Sequence, residues 1–411
     1  MKKFGKFLKW LLIIIVGFVA ILYLATFVGH KVLFKPATTT TPTAKAVGTG
    51  DFKFGVQTQK QAKTSAEYVK VLAKQVKNYN QRISTYWPNN PETDQYVITQ
   101  DIDTNKVWMI SPKGEIKTMP TKDLKKYHIE TTIKTNGQWS PFKGNGISGA
   151  FLTIAPKSLN NYYQFQKYYH LGTYDTFITY SHELFHSITQ DRWAKSTLGN
   201  KDSDERPDDS LGRRYRMQLM QQLAKAISST NDSDREANTK AALATYKAYQ
   251  KNDKADYKAT MYWDRMEGTA YYYELKTSLY AAYPTKINSD ADVYKALGVI
   301  LKNDNVAYRD TGAVAEGYNI GGYASFLLDM LAVKNGQNVD DWKNQIETEG
   351  NTTPLTLLEK QYEGQTLPKA EKIPSKAELT KWMAAKDKIS PESTGAQNIF
   401  GLLYSMLYGK E

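Results

Sequence analysis

The segment with the most chemical potential in this chain runs from Phe177 to Ile188, FITYSHELFHSI, where two of its five histidines flank a glutamate as His-Glu-x-x-His. On a helix, residues four apart lie one above the other, so His182 and His186 can present both imidazoles to one metal ion. Glu183 adjoins the first histidine, where a carboxylate can take a proton from water that the ion has acidified. Phe177, Leu184 and Ile188 fall on the opposite side and give the helix an apolar face to bury. The alternative is two ordinary histidines at helical spacing. The apolar packing face and the concentration of scarce histidine at this one place weigh towards metal. A catalytic zinc takes three protein ligands and leaves one position for water. No histidine follows His186, so a downstream third ligand has to be a carboxylate.

Residues 264–274 read DRMEGTAYYYE. Glu267-Gly268-Thr269-Ala270 and the tyrosines after it, taken with His182-Glu183-x-x-His186, resemble the gluzincin metallopeptidases, the zincin group that includes thermolysin and the aminopeptidase N family. In the latter, the third ligand is the glutamate of an Asn-Glu-Gly-Phe-Ala-x-Tyr-like helix. The resemblance implies a zincin-like catalytic domain with Zn²⁺ held by His182, His186 and Glu267, and with Glu183 as the base. Glu274, two turns on along the same face, is the reserve ligand, and a surface acid at a helix start is the plainer reading of Glu267. Small residues at 268 and 270 are expected to let this helix approach the motif helix closely. Metzincin-type zinc binding is excluded, because Thr189 and Arg192 stand where that class needs Gly and His.

Tyr318-Asn319-Ile320-Gly321-Gly322 is similar to a Tyr-x-x-Gly stretch of the aminopeptidase N family whose tyrosine is an oxyanion donor. That likeness gives Tyr318 the same role, against an ordinary aromatic near a helix start. The likeness fails upstream. That family has a Gly-x-Met-Glu-Asn strand whose glutamate binds the substrate amine, whereas Gly149-Ala150-Phe151-Leu152-Thr153-Ile154 carries no acid. An endopeptidase is therefore expected rather than an aminopeptidase, with an extended peptide pairing on an edge strand near 148–155. The resemblance spans about residues 145–335 in outline and is specific only around 182–186 and 267–270.

The elements that would position these groups follow from periodicity. Tyr68, Val71, Leu72, Val76 and Tyr79 recur at helical spacing within 64–83. Residues 96–102, 106–110 and 115–119, separated by Asp103-Thr104-Asn105 and Ser111-Pro112-Lys113-Gly114, predict a β-meander. Beyond Tyr162 the pattern is helical, near 174–195, 212–228, 234–251, 264–280, 291–302, 319–334 and 376–386. Strands first and helices after is an α+β plan. The acidic stretch 200–211 reads as a solvated loop and 363–375 as a linker. Tyr162, Tyr163, Tyr168 and Tyr169 pack a domain or form a stacking surface. Arg213, Arg214 and Arg216 line a solvated helix face or bind a substrate carboxylate. His128 and His170 have no partner at metal spacing.

The chain has 411 residues, 41% of them apolar, so it can bury a large core and wholesale disorder is excluded. The lack of cysteine excludes a disulfide scaffold, a Cys-ligated zinc finger, an iron–sulfur centre and a thiol nucleophile. The net charge of +12 first suggests a nucleic-acid or anionic-surface binder, but six of the surplus lysines lie in residues 1–35, which contain no acid. Trp10–Gly29 is twenty residues without charge, long enough to cross a bilayer, and the four lysines before it place the N-terminus in the cytoplasm. A cleaved signal peptide is the competing reading, but its apolar region is normally shorter.

The expected organisation is a Lys-rich start and single transmembrane helix over 1–35 and a Thr/Pro-rich tether over 36–50. A helix and β-rich subdomain (51–160), a helical zinc-binding catalytic subdomain (161–362) and a linker with C-terminal helices (363–411) follow. The expected function is that of a membrane-anchored, extracytoplasmic zinc metallopeptidase. It would act on peptide or protein substrates, contact the lipid bilayer through residues 10–29 and have no nucleic-acid partner. The alternative is a catalytically silent zincin-fold protein for surface binding or adhesion.

Overall fold

The computed structural model describes residues 62, 64–129, 138–154, 172–200, 210–303 and 313–380. The expected membrane segment, the tether, the tyrosines of 162–169, His170, most of the acidic loop and the C-terminal stretch after 380 lie outside these residues. Among the described residues, no helix is long and apolar enough to cross a membrane.

The fold of the described residues is α+β. Helix α1 (Ser65–Asn80) starts at Thr64, whose side chain accepts from the Glu67 N–H. It buries Tyr68, Val69, Leu72, Val76 and Tyr79. Strands β1 (Tyr96–Asp101), β2 (Val107–Ile110) and β3 (Ile116–Met119) form the expected meander. After a 3₁₀ turn over Thr121–Tyr127 come β4 (Trp139–Gly144) and β5 (Ile147–Ile154). The order is β3-β2-β1-β5-β4, with β5 parallel to β1 and every other pair antiparallel. Alternation along the strands sorts the side chains onto two faces. Val97, Ala150, Leu152 and Ile154 join the main core with the helices. Ile98, Val107, Phe142 and Phe151 pack on the other face under Leu124, Tyr127 and Ile129.

This order corrects one expectation. The strand near 148–155 is no edge, because β5 is paired on both sides, by β1 and by β4. The edge on that side of the sheet is β4, whose short Trp-Ser-Pro-Phe sequence carries little strand signal. Thr153 N–H donates to the Gln138 carbonyl, so in this register Trp139, Pro141 and Lys143 turn their backbone groups away from β5. Pro141 therefore costs the ladder no hydrogen bond and removes one donor from the outer edge.

The helices are α2 (Asp175–Leu184), α3 (Leu211–Ile227), α4 (Asp232–Asn252), α5 (Lys254–Ala282), α6 (Asp290–Asn303), α7 (Ala313–Lys334), α8 (Asp340–Thr348) and α9 (Pro354–Gln361). The last two have no counterpart in the periodicity reading. Helix α5 begins at Lys254, after the Asp253 cap and ten residues before the expected start, which puts Glu267 in its middle and removes the helix-start reading of that acid. Helices α5 and α7 approach backbone to backbone. A Cβ on Gly268 would lie 2.4 Å from the Gly321 Cα, and one on Gly321 would lie 1.9 Å from the Asp264 carbonyl oxygen. Gly268 is thus small for the sake of α7, not of the motif helix as expected. The 363–375 stretch is pinned rather than a free linker, since Arg214 Nε donates to the Pro374 carbonyl (2.5 Å) and Gln218 to Glu371 (3.0 Å).

Candidate metal centre

Helix α2 is held from below by its own apolar residues. Phe177, Tyr180 and Leu184 are buried, while Ile188, assigned to that face by its spacing, is only half-buried. Tyr68 of α1 stacks on Tyr174 just before the helix (centroids 4.1 Å, 13° between planes) and its hydroxyl meets Thr176 at 2.7 Å. After Leu184 the backbone opens into a π turn over Phe185–Thr189, then a 3₁₀ turn over Gln190–Arg192. Such local widening of a helix is rare and concentrates at functional sites.

His182 and His186 point to the same side of this helix and meet Glu267 from the middle of α5. The two Nε2 atoms are 3.0 Å apart, and Glu267 Oε2 lies 3.2 Å from His182 Nε2 and 3.3 Å from His186 Nε2. In a tetrahedral zinc site with bonds of about 2.0–2.1 Å, the donor atoms stand roughly 3.3–3.4 Å apart. The three converging atoms therefore fit one face of such a site, and these residues could hold a metal ion. The donor chemistry agrees, since two imidazoles and one carboxylate are ligands that zinc accepts. Side-chain exposure rises from 5% at His182 and 15% at Glu267 to 23% at His186, so the cluster opens to solvent beside His186.

The charges in the cluster are opposite and paired. Burial works to depress the His182 pKa, yet the carboxylates of Glu267 and Glu274 overcome it and hold the ring up at about 10. Burial likewise opposes the charge on Glu267, but both histidines keep its pKa well below the usual carboxylate range. Glu274 is not a fourth member of the triangle. It lies 3.0 Å from the other nitrogen of His182, Nδ1, off the N–H direction, so the contact is electrostatic rather than an aligned hydrogen bond. Burial raises the Glu274 pKa, and the neighbouring charges of Glu183 and Glu267 add to it while His182 opposes them.

Tyr318, near the start of α7, lies flat on His182, with ring centroids 5.1 Å apart and 4° between planes. Its hydroxyl interacts with the Glu267 carboxylate. Burial and the charges of Glu267, Glu274 and Glu183 keep that phenol protonated far above its ordinary range. Glu183 is half-buried and close enough for its charge to act on both Tyr318 and Glu274. All five residues singled out by sequence, His182, Glu183, His186, Glu267 and Tyr318, are thus gathered in one place.

The arginines of α3 do neither of the things expected of them. Arg213 and Arg216 are buried, and both pair with Glu316, at 3.2 and 2.8 Å. Arg216 also grips Asp264 at 2.5 Å and Thr260 at 2.9 Å. This network ties α3 to the turns just before Glu267 on α5 and Tyr318 on α7. His128, exposed and in the left-handed backbone region at φ 58°, plays no part in the cluster.

Two residues near the site carried no motif. Gln190 contacts His186 Nδ1 at 2.5 Å, and the only available signal was a polar side chain four residues after a ligand candidate. Glu92 is fully buried beneath the π turn, where it accepts from the hydroxyls of Thr189 (2.8 Å), Tyr273 (2.9 Å) and Tyr79. No protein-family model matches the chain, and no curated protein or solved structure is significantly similar to it.

Proposed function

We propose that this chain is a zinc metallopeptidase of gluzincin type, anchored by residues 10–29 with its catalytic domain outside the cytoplasm. The observation that carries the reading is the triangle of His182 Nε2, His186 Nε2 and Glu267 Oε2, with sides of 3.0–3.3 Å, beside an intact Glu183. His182, His186 and Glu267 would hold Zn²⁺, which supplies Lewis acidity to water and to the scissile carbonyl.

The remaining work falls to the chain's own side chains. Glu183 takes the proton released as water attacks and returns it to the leaving amine, which departs neutral. Tyr318 keeps its proton at every physiological pH, so its phenol donates a hydrogen bond to the oxygen on which negative charge develops. An extended substrate pairs with the outer edge of β4, through the backbone groups of Trp139 and Lys143 and the carbonyl of Pro141. The chain has no acid in β5 to bind a free amine, which favours internal peptide bonds over N-terminal ones.

The test uses the full chain in detergent. Zinc is measured by elemental analysis, and cleavage of a peptide library is compared between wild type and Glu183→Gln. The expected result is one zinc in both proteins, with turnover reduced about 10²–10⁴-fold in the variant. Absence of zinc in the wild type overturns the reading. Zinc without cleavage by either protein replaces a peptidase with a binding module.

A further inference from the structure

We propose that Gln190 is a positioning residue that fixes the tautomer of His186, and with it the nitrogen that His186 offers to a metal. The inference rests on the metal reading above and concerns a residue to which no motif points. One atom beside Gln190 has no choice of role. The Met266 backbone carbonyl can only accept, and it lies 2.8 Å from the Gln190 amide nitrogen. Thr269 Oγ1, also 2.8 Å from that nitrogen, spends its own proton on the Arg265 carbonyl at 2.7 Å and is likewise left to accept.

These two acceptors fix the amide: Nε2 faces α5 and Oε1 faces His186. Oε1 lies 2.5 Å from His186 Nδ1 and has no proton, so Nδ1 must carry the hydrogen. The lone pair of a neutral His186 is thereby left on Nε2, the atom that faces His182 and Glu267. One side chain thus chooses which nitrogen of His186 is the donor. It also bonds to the backbone and side chain that flank Glu267 on α5, positions 266 and 269. Gln190 follows His186 by four residues, so the two side chains share a side, and its own N–H closes the π turn on the Phe185 carbonyl. Gln190 is itself 4% exposed, so water does not compete for these bonds. On the other ring, Glu274 stands at His182 Nδ1, so each histidine has its own polar partner behind it.

The experiment measures zinc affinity of the full-length protein by competition with a chromophoric chelator. In parallel, long-range ¹H–¹⁵N spectra of the histidine rings identify which nitrogen is protonated and which is metallated. Gln190→Leu removes both the acceptor and the donors. The expected result is a 10–100-fold loss of zinc affinity, with His186 no longer uniformly protonated at Nδ1. Gln190→Glu keeps an acceptor at Nδ1 but loses both donations to α5. It is expected to stay within a few-fold of wild-type affinity with the Nδ1 proton retained, whereas a merely structural glutamine would leave it as weak as Gln190→Leu. A folded Gln190→Leu with wild-type affinity and an unchanged His186 spectrum overturns the proposal. If that variant does not fold, Gln190→Glu decides alone, and a large loss of affinity overturns it. A wild type that takes up no zinc overturns this proposal together with the metal reading, whereas a zinc-binding wild type with an indifferent Gln190→Leu overturns this one only.

Discussion

Tyr318 illustrates how much of the proposed chemistry would rest on single side chains. Its ring lies parallel to His182 at 5.1 Å, and Tyr271 meets it edge-on at 5.8 Å, so the phenol has little rotational freedom. A hydroxyl held in place and kept protonated by burial and by three nearby carboxylates is preorganised to donate. Tyr318→Phe keeps the ring contacts and removes only the donor. We expect kcat to fall about 10²–10³-fold while KM and zinc content stay near wild type, as peptide-cleavage kinetics and elemental analysis would register. An unchanged kcat would return Tyr318 to the role of packing aromatic. At this scale the sequence was informative where spacing alone encodes proximity. His182 and His186 had to face the same way on any helix, and a neighbouring Glu183 came with them. Gln190 was invisible because its significance lies in what it touches on α5, 76 residues away.

The elements bring these residues together through contacts that no local pattern announces. Helix periodicity predicts α3, α4 and α6 to within a residue or two and α1 to within three, since each buries one apolar stripe. Helix α5 is buried nearly all round over its second half, whereas of Lys254–Trp263 only Thr260 is buried, so these first turns carry no apolar stripe and its start at Lys254 lies outside the periodicity. Strand β4 leaves no pattern in the sequence because it is short, proline-interrupted and partnered on one side only. Glu92 is the clearest joint between elements. It lies between α1 (Tyr79), α5 (Tyr273) and the π turn (Thr189), with the charge of Arg192 also acting on it. Burial pushes its pKa from 4.5 up to about 7, against the opposing pull of the three hydroxyls and Arg192. The folded state then keeps a proton that the unfolded chain releases near pH 4.5. Stability associated with Glu92 is full below that pH and is lost as pH rises towards 7, by about 3 kcal/mol in all. Glu92→Gln mimics the protonated form and should abolish this slope. Urea unfolding at pH 5 and pH 7.5 would show the wild type losing stability relative to the variant between the two, and parallel behaviour would mean that Glu92 is already ionised at pH 5.

For the molecule as a whole, an ion held as proposed would cross-link distant parts of the chain. His186 and Glu267 are 81 residues apart, and a bound ion would join α2 to α5 as a removable clamp. The fold does not depend on that clamp as a zinc finger does. The main core continues from the sheet through α1, α2, α5 and α7, and it includes fully buried Trp87, Tyr79, Tyr180, Tyr272 and Tyr273. The Arg216–Asp264–Glu316 network separately holds α3, α5 and α7 together. Removing the ion should therefore loosen the protein without unfolding it. Binding to the native state alone stabilises by about 4 kcal/mol when free zinc is a thousandfold above Kd, which corresponds to roughly 5–10 °C in Tm for a domain of this size. Calorimetry with and without a chelator should show a fall of that order, restored by added zinc. Glu267→Ala should start from the lower Tm and no longer respond to the chelator, because the third donor is gone while the core and the arginine network remain. Identical Tm values for the chelated and zinc-supplied wild type would mean that the three donor atoms, however well spaced, hold no ion in solution.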